Sequence, residues 1–286
     1  MTTLPTTDVH RSVSEQYTAA LDRAQKRSAS ASCCGPVQCG AAAATAGYAA
    51  PEDALAVAAA ASFACGNPLA FAEVQPGETV VDLGSGAGYD LLLAAEKVGP
   101  EGRVIGVDMT DAMIDAARAN AATAGAFQVQ VRKGLIEALP IAADQADWLI
   151  SNCVINLSPD KPKVFAEMAR VLKPGGQFRV ADIIAEDLPP WLRDNALAYA
   201  ACIAGAIPEA AYLGGLRAVG FADVQIVSRL VYTAEQIRAV IATDFADAGL
   251  DPAAWDSIVG ELEGKVASVT VTGRKPVAST CCGGCC

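Results

Sequence analysis

From Glu78 onward, short runs of continuous apolar residues alternate with stretches whose apolar residues recur every three or four positions. "ETVVDL", "GRVIGVD", "FQVQVRKG", "ADWLISN" and "QFRVADI" read as strands, the last preceded by a turn at "KPGG", while "LLLAAEKV", "TDAMIDAARANAATAG" and "KPKVFAEMARVL" carry the helical period. Runs that are apolar along their length are buried on both faces, so the alternation predicts a parallel sheet covered by helices. Two later runs, "ADVQIVSRLVY" and "KVASVTVTGRKP", add strands, with the helical stretch "WLRDNALAYAACIAGAIPEAAYLGGLRAVGF" inserted before them. The expected fold is α/β: a doubly wound, mostly parallel, seven-stranded Rossmann-like sheet with a helical insertion. Ahead of it stand a helix, "VSEQYTAALDRAQKR", a Ser/Ala/Gly-rich loop expected to be mobile, and an Ala-rich helix, "DALAVAAAASFA", stopped by Gly66 and Pro68. The segments are 1–50, 51–184, 185–221, 222–276 and a low-complexity tail, 277–286, ending in "CCGGCC".

Composition narrows the partners. With 52% hydrophobic residues over 286, the chain can bury a large core, and 21 basic against 32 acidic residues give a net charge of −11. No cluster of Lys and Arg could track phosphates, so nucleic acid is not expected as a partner. The N-terminus lacks the basic start and apolar core of a secretion signal, and "ALAVAAAASFACG" is too short to cross a bilayer. A soluble cytoplasmic protein with no membrane partner is expected. In a reducing compartment, ten cysteines point to metal binding, redox or catalysis rather than a disulfide framework.

In "VVDLGSGAGYD", Gly84, Gly86 and Gly88 leave a buried strand and open a helix whose free N–H groups face a cofactor. A dinucleotide fingerprint would place a third glycine where Tyr89 stands, so a nicotinamide cofactor is disfavoured. Asp108 ends the second strand, where a carboxylate suits two ribose hydroxyls, and Asp82 ends the first, within reach of an amino acid's ammonium group. Such an acid-lined turn suits a cationic cofactor.

With "GLIEALP" and "VLKPGG" at their offsets, this pattern resembles the S-adenosylmethionine-dependent class I methyltransferases. The resemblance implies that 51–184 binds S-adenosylmethionine through Asp82, Gly84, Ser85, Gly86, Gly88, Asp108, Met109, Ile136, Glu137 and Asn152, the adenine lying near Ile136 and Glu137.

Cys65 in "ACGNP", Cys153 in "SNCVINLSPDK" and Cys202 in "ACIAG" stand apart from the other thiols. Cys153 follows a strand at the carboxyl edge, where ligands of open α/β sheets bind, and the insertion could bring Cys202 onto the same edge. Each cysteine alone reads first as a small packed hydrophobe, and the balance changes only when the three are taken together with their flanks. Converging thiolates, however, favour a thiophilic centre such as arsenic(III). From about Val57 to Pro276, "ACGNP", "VIGVDMTDAMIDAAR", "SNCVINLSPDK" and "CIAGAIPEAAYLGGLRAVGF" look like the corresponding stretches of arsenite methyltransferases. That resemblance implies catalytic, arsenic-holding roles for Cys65, Cys153 and Cys202, with Cys65 joining the other two or forming a disulfide during turnover. It makes 185–221 the arsenic-binding insertion and leaves open whether Cys33, Cys34 or Cys39 supplies a further ligand. The arsenic lone pair would attack the sulfonium methyl with no proton to remove, in keeping with a chain whose one histidine, His10, lies in the N-terminal helix. A monomer served by an external thiol reductant, thioredoxin or glutathione, is expected. The alternatives are a small-molecule C- or O-methyltransferase, an enzyme for larger organoarsenicals, and a thiol-rich arsenic-binding protein without turnover.

Overall fold

In the computed structural model the described residues are 6–30, 68–69, 72–193, 199, 202–244 and 255–277. The Ala-rich helix, the loop holding Cys33, Cys34 and Cys39, Cys65 and the "CCGGCC" tail lie outside them. Strands β1 (Thr79–Leu83), β2 (Arg103–Asp108), β3 (Val129–Lys133), β4 (Ala146–Asn152), β5 (Leu172–Ala185), β6 (Ala222–Val231) and β7 (Val266–Arg274) form one seven-stranded sheet in the order β3-β2-β1-β4-β5-β7-β6. Neighbours from β3 to β5 are parallel, and β7 runs antiparallel to both β5 and β6. The doubly wound, mostly parallel expectation is therefore met.

Side chains that alternate along the strands explain the two layers. On one face Val81, Leu83, Val107, Leu149 and Phe178 pack with Phe165 and Met168 of helix α4 (Lys161–Val171) and with Tyr212 and Leu216 of α5 (Glu209–Ala218). On the other, Val80, Val104, Trp148 and Ile150 meet Leu91 and Val98 of α2 (Tyr89–Val98) and Ile114 and Ala117 of α3 (Asp111–Thr123). The chain winds outward from β1 through β2 to β3, then returns to place β4 on the other side of β1. This reversal opens a crevice at the carboxyl ends of β1 and β4, the place where open α/β sheets bind ligands. Helix α1 (Thr6–Ser30) reaches that crevice and also touches α3.

Two boundaries differ from the sequence pattern. "KPGG" belongs to β5 rather than forming a turn before it. The Gly175 N–H donates to the Lys275 carbonyl and the Lys275 N–H to the Gly176 carbonyl, both at 2.8 Å, so the ladder extends through the glycines. β3 starts at Val129 because Gly125, at φ 65°, closes a turn that leaves Phe127 92% exposed.

Phe178 lies edge-on to Phe221, with ring centroids 4.7 Å apart, and a Cβ on Gly273 would stand 2.7 Å from the Phe178 ring. Gly273→Ala is expected to cost about 1–3 kcal/mol by overpacking. In a Phe178→Ala background most of that cost should vanish, which a urea-unfolding double-mutant cycle would read as strong coupling.

Candidate active site

The glycine turn is shaped by what approaches it. Gly84, Gly86 and Gly88 have φ of 66°, 50° and 90°, in the left-handed region that glycine enters without Cβ strain. At Gly84 a second constraint applies, since a Cβ there would lie 2.3 Å from Val154 Cγ2. The turn after β1 thus rests directly on the residue that follows Cys153. The N–H groups of Gly86 and Thr110 donate to the two carboxylate oxygens of Asp108 at 2.9 and 2.8 Å, tying the glycine turn to the start of α3.

Four carboxylates line the crevice: Asp82, Asp90 and Asp108 around the glycine turn, and Glu137. Burial, then the charges of Asp90 and Asp108, push Asp82 well above the ordinary carboxylate range. Asp108 is raised by burial, while backbone N–H groups, Thr110 first, pull it back. Asp90 accepts a hydrogen bond from Asn152 Nδ2 at 3.2 Å. The cleft is open to solvent, and no Lys or Arg lines it among the described residues. It suits a cation without phosphates. Ser85 Oγ, buried and lacking a hydrogen-bond partner among the described residues, is a polar atom left for such a ligand. Ser85, Met109, Ile136, Glu137 and Asn152 all line the same cleft.

Sequence reasoning missed the roof of this cleft. His10, Val13 and Tyr17 of α1 line it, and His10 Nε2 lies 3.1 Å from Glu137 Oε1, which also accepts the Ser158 hydroxyl. The signal was available: positions 10, 13 and 17 share one face of a helix. Glu137 is thereby held from two sides.

Cys153 and Cys202, 49 residues apart, come together in one apolar cluster above the carboxyl edge, 2% and 3% exposed. The Cys202 thiol donates to the Cys153 carbonyl at 2.7 Å. Cys153 also lines the cofactor cleft, and its N–H donates to the Ala181 carbonyl on β5. Both cysteines have left-handed backbones, φ 56° and 62°, a conformation costing a non-glycine residue roughly 1–2 kcal/mol and held only where the surroundings dictate it. Cys153 is disulfide-bonded, whereas Cys202 is a reduced thiol. The structure therefore unites two of the three expected sulfurs; Cys65 lies outside the described residues.

Beneath the cysteines is a buried polar group that the sequence did not announce. Asn156, in the 3-10 turn Ile155–Leu157, donates through Nδ2 to Asp182 Oδ1 at 2.7 Å and to the Ile183 carbonyl at 2.6 Å, and the Tyr212 hydroxyl donates to Asp182 Oδ2 at 3.2 Å. Burial pushes Asp182 up to about 7, against the hydrogen bond from Ile183 N–H and the Lys161 charge. A raised carboxyl contributes stability that is complete below its ordinary range and disappears as pH rises through about 7; Asp82 acts with the same sign. The protein is therefore expected to lose stability between about pH 4 and pH 7 in urea titrations, with a flatter profile for Asp182→Asn.

The model of the family described as "Methyltransferase domain" matches residues 75–242. Over 166 residues, 58% of this chain, it is 46% identical to an arsenite methyltransferase of Halobacterium salinarum, covering 42% of that protein. An arsenite methyltransferase of Aquipseudomonas alcaligenes is 40% identical over 156 residues, 52% of this chain and 45% of the relative. The matches thus span less than half the length of these curated relatives. Among solved structures, an arsenic (III) S-adenosylmethionine methyltransferase from Chlamydomonas reinhardtii superposes with a TM-score of 0.60 at 33% identity, over 76% of this chain and 68% of the other. Since the family model covers more than half of the sequence and carries both the glycine turn and Cys153, the chain belongs to the methyltransferase domain family and is similar, within it, to the arsenite methyltransferases.

Proposed function

We propose that this chain transfers methyl groups from S-adenosylmethionine to thiolate-bound trivalent arsenic, arsenite or methylarsenite, in a detoxifying reaction. The observation that carries the reading is the meeting of Cys202 with Cys153, itself a wall of a cleft lined by four carboxylates. When bound, S-adenosylmethionine supplies an electrophilic sulfonium methyl.

Asp82 and Asp90 offer negative charge to the cationic end of the cofactor, and Asp108 keeps acceptor capacity for ribose hydroxyls beyond the two backbone N–H groups it already binds. Gly84, Ser85, Gly86, Gly88, Met109 and Asn152 line the path between, with Ile136 and Glu137 toward the adenine. Cys153 and Cys202 hold the arsenic, and Cys65 is the proposed third sulfur. Positioning is the protein's main contribution, because an arsenic lone pair needs no general base. Two protein thiols oxidised to a disulfide would return methylated arsenic to the trivalent state, a reading supported by the presence of Cys153 in a disulfide while Cys202 stays reduced. An external dithiol or glutathione would then reset the pair. We place this chemistry in the cytoplasm, carried out by a monomer; no helix among the described residues is long and apolar enough to cross a membrane.

Incubation with arsenite, S-adenosylmethionine and reductant, followed by arsenic speciation, tests the reading; cofactor binding without methylated arsenic would refute it. In the fully reduced protein, Cys153→Ser should abolish methylation with little change in melting temperature or cofactor affinity, because a hydroxyl is a poor donor to arsenic. Asp82→Asn should behave in the opposite way for stability. Removing a desolvated charge should raise the urea midpoint of the ligand-free protein, while calorimetry shows cofactor affinity reduced roughly tenfold or more.

A further inference from the structure

We propose that Lys161 is a positioning residue that fixes the separation of the Cys153 and Cys202 sulfurs, gripping the 3-10 turn between them from one side while Gly205 seats on it from the other. The inference rests on the reading of these two cysteines as the arsenic-binding pair.

Lys161 opens α4, the helix that follows the turn after Ser158, Pro159 and Asp160, and its side chain folds back rather than out. Nζ donates to the Asn156 carbonyl at 3.4 Å and to the Ser158 carbonyl at 3.1 Å. Lys163, two residues on, shows the ordinary alternative: an exposed ammonium paired with the helix-capping Asp160. Lys161 is half-buried, and the groups facing its charge are Asp182, Cys202 and Glu137. Desolvation disfavours an ammonium here, so its retention needs the two carbonyls and these neighbours.

The same Asn156 carbonyl receives the insertion. A Cβ on Gly205 would stand 2.0 Å from that oxygen, so only glycine lets the Cys202 loop close to this distance. Asn156 itself cannot slide along β5, because its amide is tied to Asp182 and Ile183. The residues three past each cysteine, Asn156 and Gly205, thus meet backbone to backbone, beside the contact of the Cys202 thiol with the Cys153 carbonyl. Lys161 holds the Asn156 carbonyl, and Gly205 measures the gap.

The test uses the full-length reduced protein and two arsenical probes, with protection of Cys153 and Cys202 from alkylation read by peptide mass spectrometry. Phenylarsenic(III) needs two thiols; diphenylarsenic(III) needs one. Gly205→Ala should weaken protection by phenylarsenic(III) about a hundredfold, the scale of a misplacement of about 1 Å, and Lys161→Met about tenfold. Lys161→Arg should recover most of the loss. Diphenylarsenic(III) protection and S-adenosylmethionine affinity should stay unchanged in all three. Equal loss with both probes would reduce Lys161 to a support of the fold and overturn the proposal, as would unaltered phenylarsenic(III) protection in Lys161→Met and Gly205→Ala. If Cys202 is protected as well by phenylarsenic(III) in Cys153→Ser as in the wild type, the cysteine pair itself fails, and the inference falls with it.

Discussion

The contact between Gly84 and Val154 governs the site. Two turns leave adjacent parallel strands, β1 and β4, and they meet so closely that no side chain fits at Gly84. One turn shapes the cofactor cleft; the other begins at Cys153. A methyl donor bound by the first and a nucleophile held by the second would inherit their relative position from this packing. The sheet supplies the rigidity, since the register of β1 and β4 is fixed by side chains buried on both faces.

Around that contact the chain accepts two unfavourable features. Asp82 is a carboxylate placed where burial and two like charges disfavour its ionised form. Both cysteines adopt a backbone conformation that suits glycine better. Core packing explains neither. A cationic cofactor would relieve the first by supplying the missing countercharge, which is why the ligand-free protein is the strained member of the pair. The tertiary fold imposes the second, through the bond from Cys153 N–H to β5 and the seating of the Cys202 loop.

The strands and the glycine turn were legible because they are local. "ADWLISN" is apolar over its length, and the structure makes a strand of those same residues, Ala146–Asn152. Asp108 was expected at the cleft from its place at the end of a strand, and it lines the cleft at the end of β2. What stayed hidden depends on distant segments meeting. The role of Asp182 requires Asn156 and Tyr212, from two other elements, and the cleft's roof requires α1 to cross to Glu137. The juxtaposition of Cys153 with Cys202 was expected only through topology and resemblance; no periodic pattern announces it. At "KPGG" the local turn signal was overruled by pairing with Lys275, nearly a hundred residues later.

The left-handed cysteines set selection for stability against selection for chemistry. Glycine and asparagine enter that backbone region more readily than cysteine does. A population drifting under pressure for stability alone would therefore shed both sulfurs. Their persistence in any lineage would record a continuing demand for thiol chemistry, and their decay to glycine would mark the point at which that demand lapsed.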